Sequence, residues 1–129
     1  MLFRSNRFPK AKVCLVGTSS STLSTITLSQ PLDGKIDCFI HTASLNSIAR
    51  LDTRPYKSRH LLVHHQNDQC RLTTYASAEH NHQRYKTPLI TMNGGTTTGD
   101  VCQAFSYHGF NGIESETVGQ IKSWIKNTN

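Results

Sequence analysis

Three residue types able to perform acyl chemistry stand in separate segments of the chain: Ser19 in the run Gly17-Thr18-Ser19-Ser20-Ser21, Asp68 in Gln66-Asn67-Asp68-Gln69-Cys70, and His108 in Ser106-Tyr107-His108-Gly109-Phe110. A serine hydroxyl becomes nucleophilic at neutral pH only beside a base, and a histidine serves as that base when a carboxylate fixes its tautomer. The glycine-flanked serine follows a short apolar run, KVCLVG at 12–17. That is where a nucleophile elbow holds its serine, on a tight strand-to-helix turn. The elbow pattern G-x-S-x-G ends here in Ser21, a small residue in place of glycine. Taken alone, the same segment also reads as a polar turn capping a helix.

The elements around these residues decide whether they can meet. Apolar runs at 12–17, from Ile36 through IDCFIHTAS, at 60–65 (HLLVHH) and at 88–93 (PLITMN) predict four short buried strands. Between them lie a weak helix at 22–29, with Leu23 and Ile26 expected on its buried face, a connecting segment at 46–58 with a short helix, and a helix at about 74–85. Residues 96–112 are too glycine-rich for regular structure and predict a long loop. A last helix runs over 114–127, with Val118, Ile121, Trp124 and Ile125 at helical spacing. Its first turn holds Glu114 and Glu116 and its end Lys122 and Lys126, each complementing the helix dipole. Strands alternating with helices predict an α/β fold with a parallel sheet, whose ligands bind at the C-terminal ends of the strands. Ser19, Asp68 and His108 each follow a strand and so fall on that one edge.

The blocks KVCLVGTSSSTLS, HLLVHHQNDQC, PLITMNGG, GDVCQAFSYHGFNGIE and QIKSWIK resemble the successive C-terminal segments of the α/β-hydrolase superfamily, near its esterase and dienelactone-hydrolase-like members. The order serine, acid, histidine is that of these hydrolases. The resemblance covers nearly the whole chain, and HGFNGIE is its most specific piece. It implies a partial α/β-hydrolase fold of about four parallel strands with crossover helices, spanning 1–129 as a single truncated domain. It also implies a serine hydrolase acting on carboxylic esters, with Ser19 as nucleophile, His108 as base, Asp68 as acid and the backbone N–H of Ser20 as one oxyanion donor. A full member is about twice this length. The second oxyanion donor would therefore come from a complementing N-terminal half or a second copy, and the first strand would form an unpaired edge. The alternative is a non-catalytic truncated remnant serving as an interaction module.

Other chemistry is less well supported. The formal net charge is +6, but the 14 basic residues are scattered along the chain, so no nucleic-acid partner is expected. No apolar stretch approaches the roughly 20 residues of a membrane span, and the start lacks the apolar core of a signal peptide. His64 and His65 end a strand and should face opposite ways, which predicts packing and a hydrogen bond rather than a shared metal. His80 and His82 lie on a helix without sharing a face and are expected in solvent. No metal or cofactor is called for. Cys14 and Cys38 are expected as buried thiols. Cys70 and Cys102 lie in loops that carry Asp68 and His108 and must approach one another, which makes them disulfide candidates and would suggest an extracytoplasmic ancestry.

Overall fold

The computed structural model describes residues 11–127. Four strands, β1 (Cys14–Thr18), β2 (Cys38–Thr42), β3 (Arg59–His65) and β4 (Leu89–Met92), form one sheet in the order β1-β2-β3-β4. Every adjacent pair is parallel. Three α-helices, α1 (Thr22–Leu28), α2 (Tyr75–Tyr85) and α3 (Glu114–Lys126), join short 3-10 turns at Ser19–Ser21, Asn46–Arg50 and Tyr107–Gly109. Parallel neighbours need crossovers. α1 supplies one between β1 and β2, the turn at 46–50 lies between β2 and β3, and α2 bridges β3 and β4. No helix among the described residues is long and apolar enough to cross a membrane.

Because side chains alternate along each strand, the sheet buries two separate apolar layers. On one face Cys38, Ile40, Leu61, Val63, Met92, Phe110 and Ile113 pack against Ile121, Trp124 and Ile125 of α3. On the other, Leu62 meets Ile48 and Ala78, with Ile26 and Leu89 beside them. Basic groups close the C-terminal end of α3. Lys12 Nζ donates to the Ile125 carbonyl at 2.8 Å, and the Arg59 guanidinium lies 3.8 Å over the Trp124 ring while donating to the Trp124 carbonyl.

The structure departs from the sequence expectations at three places in this scaffold. α1 buries Thr22, Thr25 and Ser29, whereas Leu23 is 60% exposed. The threonine-rich face is tolerated inside because its hydroxyls are bonded: Thr25 Oγ1 donates to the Thr22 carbonyl and Ser29 Oγ to the Thr25 carbonyl. Cys14 and Cys38 are not thiols but a disulfide, with Cα atoms 4.5 Å apart. They are partners in register on neighbouring parallel strands, so both point to one face within bridging reach. His64 and His65 do face opposite ways, yet both are fully buried, because the sheet is covered on both sides at this end. His80 and His82 are exposed, and His82 Nδ1 donates to the Thr87 carbonyl beyond the end of α2.

A buried histidine chain crosses the α1 face. The Thr25 hydroxyl already donates to Thr22, so His41 Nδ1–H donates to Thr25 Oγ1, and His41 Nε2 then accepts from His60 Nδ1–H. His60 stacks on Phe39, His41 and Tyr56, and its Nε2 is buried without a partner. Burial, with the neighbouring His60, lowers the His41 pKa to about 3. Burial lowers that of His60 to about 4 despite the opposing charge of Asp33. The unfolded chain therefore binds protons below about pH 6.5 that the folded chain refuses, and stability falls as pH falls through that point. Between pH 7 and 4.5 the expected loss is on the order of 5 kcal/mol for the two groups together. Thermal unfolding followed by circular dichroism across that range should show it, and His60→Phe should flatten the slope.

Candidate functional site

The elbow turns sharply. Thr18 ends β1 in extended conformation, and Ser19 takes φ 56°, a left-handed conformation that a side-chain-bearing residue adopts at a cost of about 1–3 kcal/mol. Two contacts hold it there. The buried hydroxyl of Thr22 donates to the Ser19 carbonyl at 2.5 Å and accepts from the Leu45 N–H at 3.0 Å, tying the turn to the segment after β2. Gly17 permits the close approach of strand and helix, since a Cβ there would lie 2.6 Å from Thr25 Cγ2 and 2.8 Å from the Ser21 carbonyl oxygen. Ser21 itself is exposed, so a side chain at the last elbow position meets solvent rather than the strand. Gly17→Ala is expected to destabilise the fold by about 1–3 kcal/mol, measured by urea unfolding.

Asp68 sits in the loop after β3 with its side chain fully buried. Its Oδ1 accepts from the Cys70 N–H at 2.9 Å, and its Oδ2 accepts from Thr73 Oγ1 at 3.1 Å, His64 Nε2 at 3.1 Å and His108 Nδ1 at 3.0 Å. Burial alone would raise its pKa. Hydrogen bonds from His108, His64 and the Cys70 amide, with the charge of His108, instead hold the carboxyl well below the usual carboxylate range. The group is thus ionised at neutral pH.

His108 is buried in the short turn at 107–109, where Gly109 lets the backbone pass against Ala104; a Cβ at 109 would overlap the Ala104 carbonyl. Phe110 then adopts φ 58°, and Glu114 Oε1 accepts the Gly112 N–H at 2.9 Å, fixing the start of α3 behind the histidine. The ring's proton placement follows from its partners. Asp68 can only accept, so Nδ1 carries the hydrogen, and Nε2 faces Ser19 Oγ at 3.0 Å as the acceptor. Ser19, His108 and Asp68 are therefore joined in one hydrogen-bonded line, although Ser19 and His108 lie 89 positions apart in sequence.

The disulfide Cys70–Cys102 is formed, with Cα atoms 4.8 Å apart, and it fastens the loop that precedes His108 to the loop that holds Asp68. Ser20 is the middle residue of the turn at 19–21, with an exposed side chain. The first N–H groups of a helical turn have no acceptor within it.

Two positioning residues escape a reading of spacing alone. Thr73 contacts both Asp68 Oδ2 and, at 2.9 Å, His108 Nδ1. His64 Nε2 donates to Asp68 and to the Thr73 carbonyl at 2.7 Å. His65, on the opposite face, donates from Nε2 to the Gly94 carbonyl at 2.8 Å, accepts the Asn67 N–H at Nδ1 and stacks on Tyr107. The HH pair thus supports the Asp68 loop from one side and the His108 turn from the other. The signal in the sequence was the pair's position at a strand end, with only Gln66 and Asn67 between it and Asp68.

No protein-family model and no curated protein matches the sequence. In three dimensions the chain is similar to a solved structure, an alpha-beta serine hydrolase homologue from Coxiella burnetii, with a TM-score of 0.54 and 15% sequence identity. The likeness covers 95% of this chain and 52% of that one, so the chain spans about half the length of its structural neighbour. The fold is α/β, four parallel strands with crossover helices in a partial α/β-hydrolase arrangement.

Proposed function

We propose that the protein is a serine hydrolase acting on carboxylic esters through Ser19, His108 and Asp68. One observation carries the reading: a serine held at positive φ on a strand-to-helix turn lies 3.0 Å from His108 Nε2, while Nδ1 of the same ring lies 3.0 Å from a buried, ionised carboxylate. Ser19 Oγ attacks the ester carbonyl as its proton passes to His108 Nε2. Asp68 stabilises the resulting imidazolium without taking its proton. Collapse of the tetrahedral adduct breaks the bond to the alcohol, which leaves with the proton from His108, and water then returns the serine by the same route. The Ser20 backbone N–H is the assigned oxyanion donor. Loss of one oxyanion donor typically slows such reactions by about a hundredfold to a thousandfold.

Labelling with a fluorophosphonate probe tests the proposal. Wild-type protein should be modified at Ser19, and Ser19→Ala should not react. Folded wild-type protein that stays unlabelled refutes it.

A further inference from the structure

At the end of the sheet away from Ser19, a cleft of about 410 Å³ opens between the starts of β2 and β3 and the last turn of α3. The charged members of its lining are Lys12, Lys57, Arg59 and Asp37. Lys12 Nζ donates to the Ile125 carbonyl at 2.8 Å and the Arg59 guanidinium to the Trp124 carbonyl at 3.1 Å. Those carbonyls belong to adjacent residues, so two positive charges converge on one helix end, whose dipole supplies only about half a negative charge. Both head groups carry more N–H donors than these bonds use. The stem of Lys57 lies against Gly34, where a Cβ would be 3.7 Å from Lys57 Cδ. Its ammonium has no hydrogen bond or ion pair among the described residues.

The other polar groups of the lining are bonded within the fold. Ser58 Oγ donates to the Ile36 carbonyl and accepts the Gly34 N–H. Asp37 Oδ2 accepts the Val13 N–H at 2.7 Å. Nearby Asp33 accepts the backbone N–H groups of Lys57 and Ser58. Around the cleft, three side-chain cations thus stand against one carboxylate and a helix end. A carboxylate ligand, with its single charge, leaves part of this excess unmatched. A phosphate monoester carries a charge of about −1.5 to −2 at neutral pH and has oxygens enough to meet all three cations.

We propose that this cleft binds a small phosphate monoester. Arg59 and Lys12 hold the phosphate at the end of α3, and Lys57 reaches it from the Gly34 side. The cavity falls within the roughly 300–1,000 Å³ of small-molecule sites, which leaves room for the organic part of the ligand beside Ile36 and Ile125. Binding there ties the last turn of α3 to the starts of β2 and β3, and it is independent of the chemistry at Ser19.

Trp124, the single tryptophan, reports on the site, because the Arg59 guanidinium lies 3.8 Å over its ring. Glycerol 3-phosphate titrated into the full chain at constant ionic strength should change Trp124 emission along a saturating curve, and acetate should not. Lys57→Gln, at an exposed position, should weaken that binding about tenfold. Arg59→Lys, which keeps the charge and loses the planar fork, should do the same by a similar factor. Lys57→Gln decides the outcome even where Arg59→Lys loses its fold. Acetate as effective as glycerol 3-phosphate, a response that never saturates, or an affinity unchanged in Lys57→Gln overturns the site. A lipid headgroup offers the same chemistry, so vesicles of phosphatidylcholine containing phosphatidic acid form a second arm. A response to those vesicles without one to glycerol 3-phosphate overturns the soluble ligand.

Discussion

Replacing His108 by alanine is expected to lower ester hydrolysis by about a millionfold, and Asp68→Asn by about ten-thousandfold, with both proteins folded. The difference follows from the hydrogen bonds. In the proposed reaction His108 Nε2 receives the Ser19 proton, and nothing else among the described contacts of Ser19 Oγ can do so. In the same proposal Asp68 acts one step removed, by accepting from Nδ1 and leaving Nε2 free of hydrogen. An asparagine there can present its NH₂ to Nδ1, which favours the opposite tautomer with Nε2 protonated and facing Ser19. Thr73 Oγ1 still lies 2.9 Å from Nδ1, so the ring keeps its place even as its chemistry is lost. Because the groups form one unit, Ser19→Ala combined with His108→Ala should be no slower than either change alone. Stopped assays with an activated ester, alongside circular dichroism to verify folding, decide the matter. Additive losses would mean that the two side chains act independently.

The second large effect concerns the two disulfides, which should be equal in stability and opposite in consequence. Cys70–Cys102 and Cys14–Cys38 span 32 and 24 positions, so their loop-closure contributions, each about 3 kcal/mol, differ by only about 0.3 kcal/mol. Removing either pair, as Cys→Ala double variants, should lower Tm by about 10 °C. Their placement differs. Cys14–Cys38 joins the starts of β1 and β2, at the end of the sheet away from Ser19. Cys70 donates its N–H to Asp68, and its partner Cys102 anchors the loop leading into the His108 turn. The Cys70→Ala/Cys102→Ala protein is therefore expected to lose fluorophosphonate reactivity at temperatures where its secondary structure is intact. The Cys14→Ala/Cys38→Ala protein should lose both together. Thermal scans paired with labelling at each temperature separate these outcomes; coincident loss in both variants would deny the loop disulfide its positioning role.

The sequence by itself determined the parallel α/β scaffold and the place of its strands, because short apolar runs closed by Gly17, Gly94 and Gly95 leave few alternatives to buried strands. It also determined that Ser19, Asp68 and His108 stand at the C-terminal ends of their strands, since that follows from strand order alone in a parallel sheet. What only the tertiary structure decided is everything that depends on distance between segments. Cys14 and Cys38 pair because the register sets them side by side, a fact that local pattern does not contain. Thr22, Thr25 and Ser29 lie inside because partners from their own helix and from β2 and the segment after it satisfy their hydroxyls, which propensity cannot anticipate. The same reason hides the contact of Thr73 with His108, 35 positions away. A hydrogen bond between residues far apart in the chain leaves no local signature in residue type, and it exists only once the sheet has brought its loops to one edge.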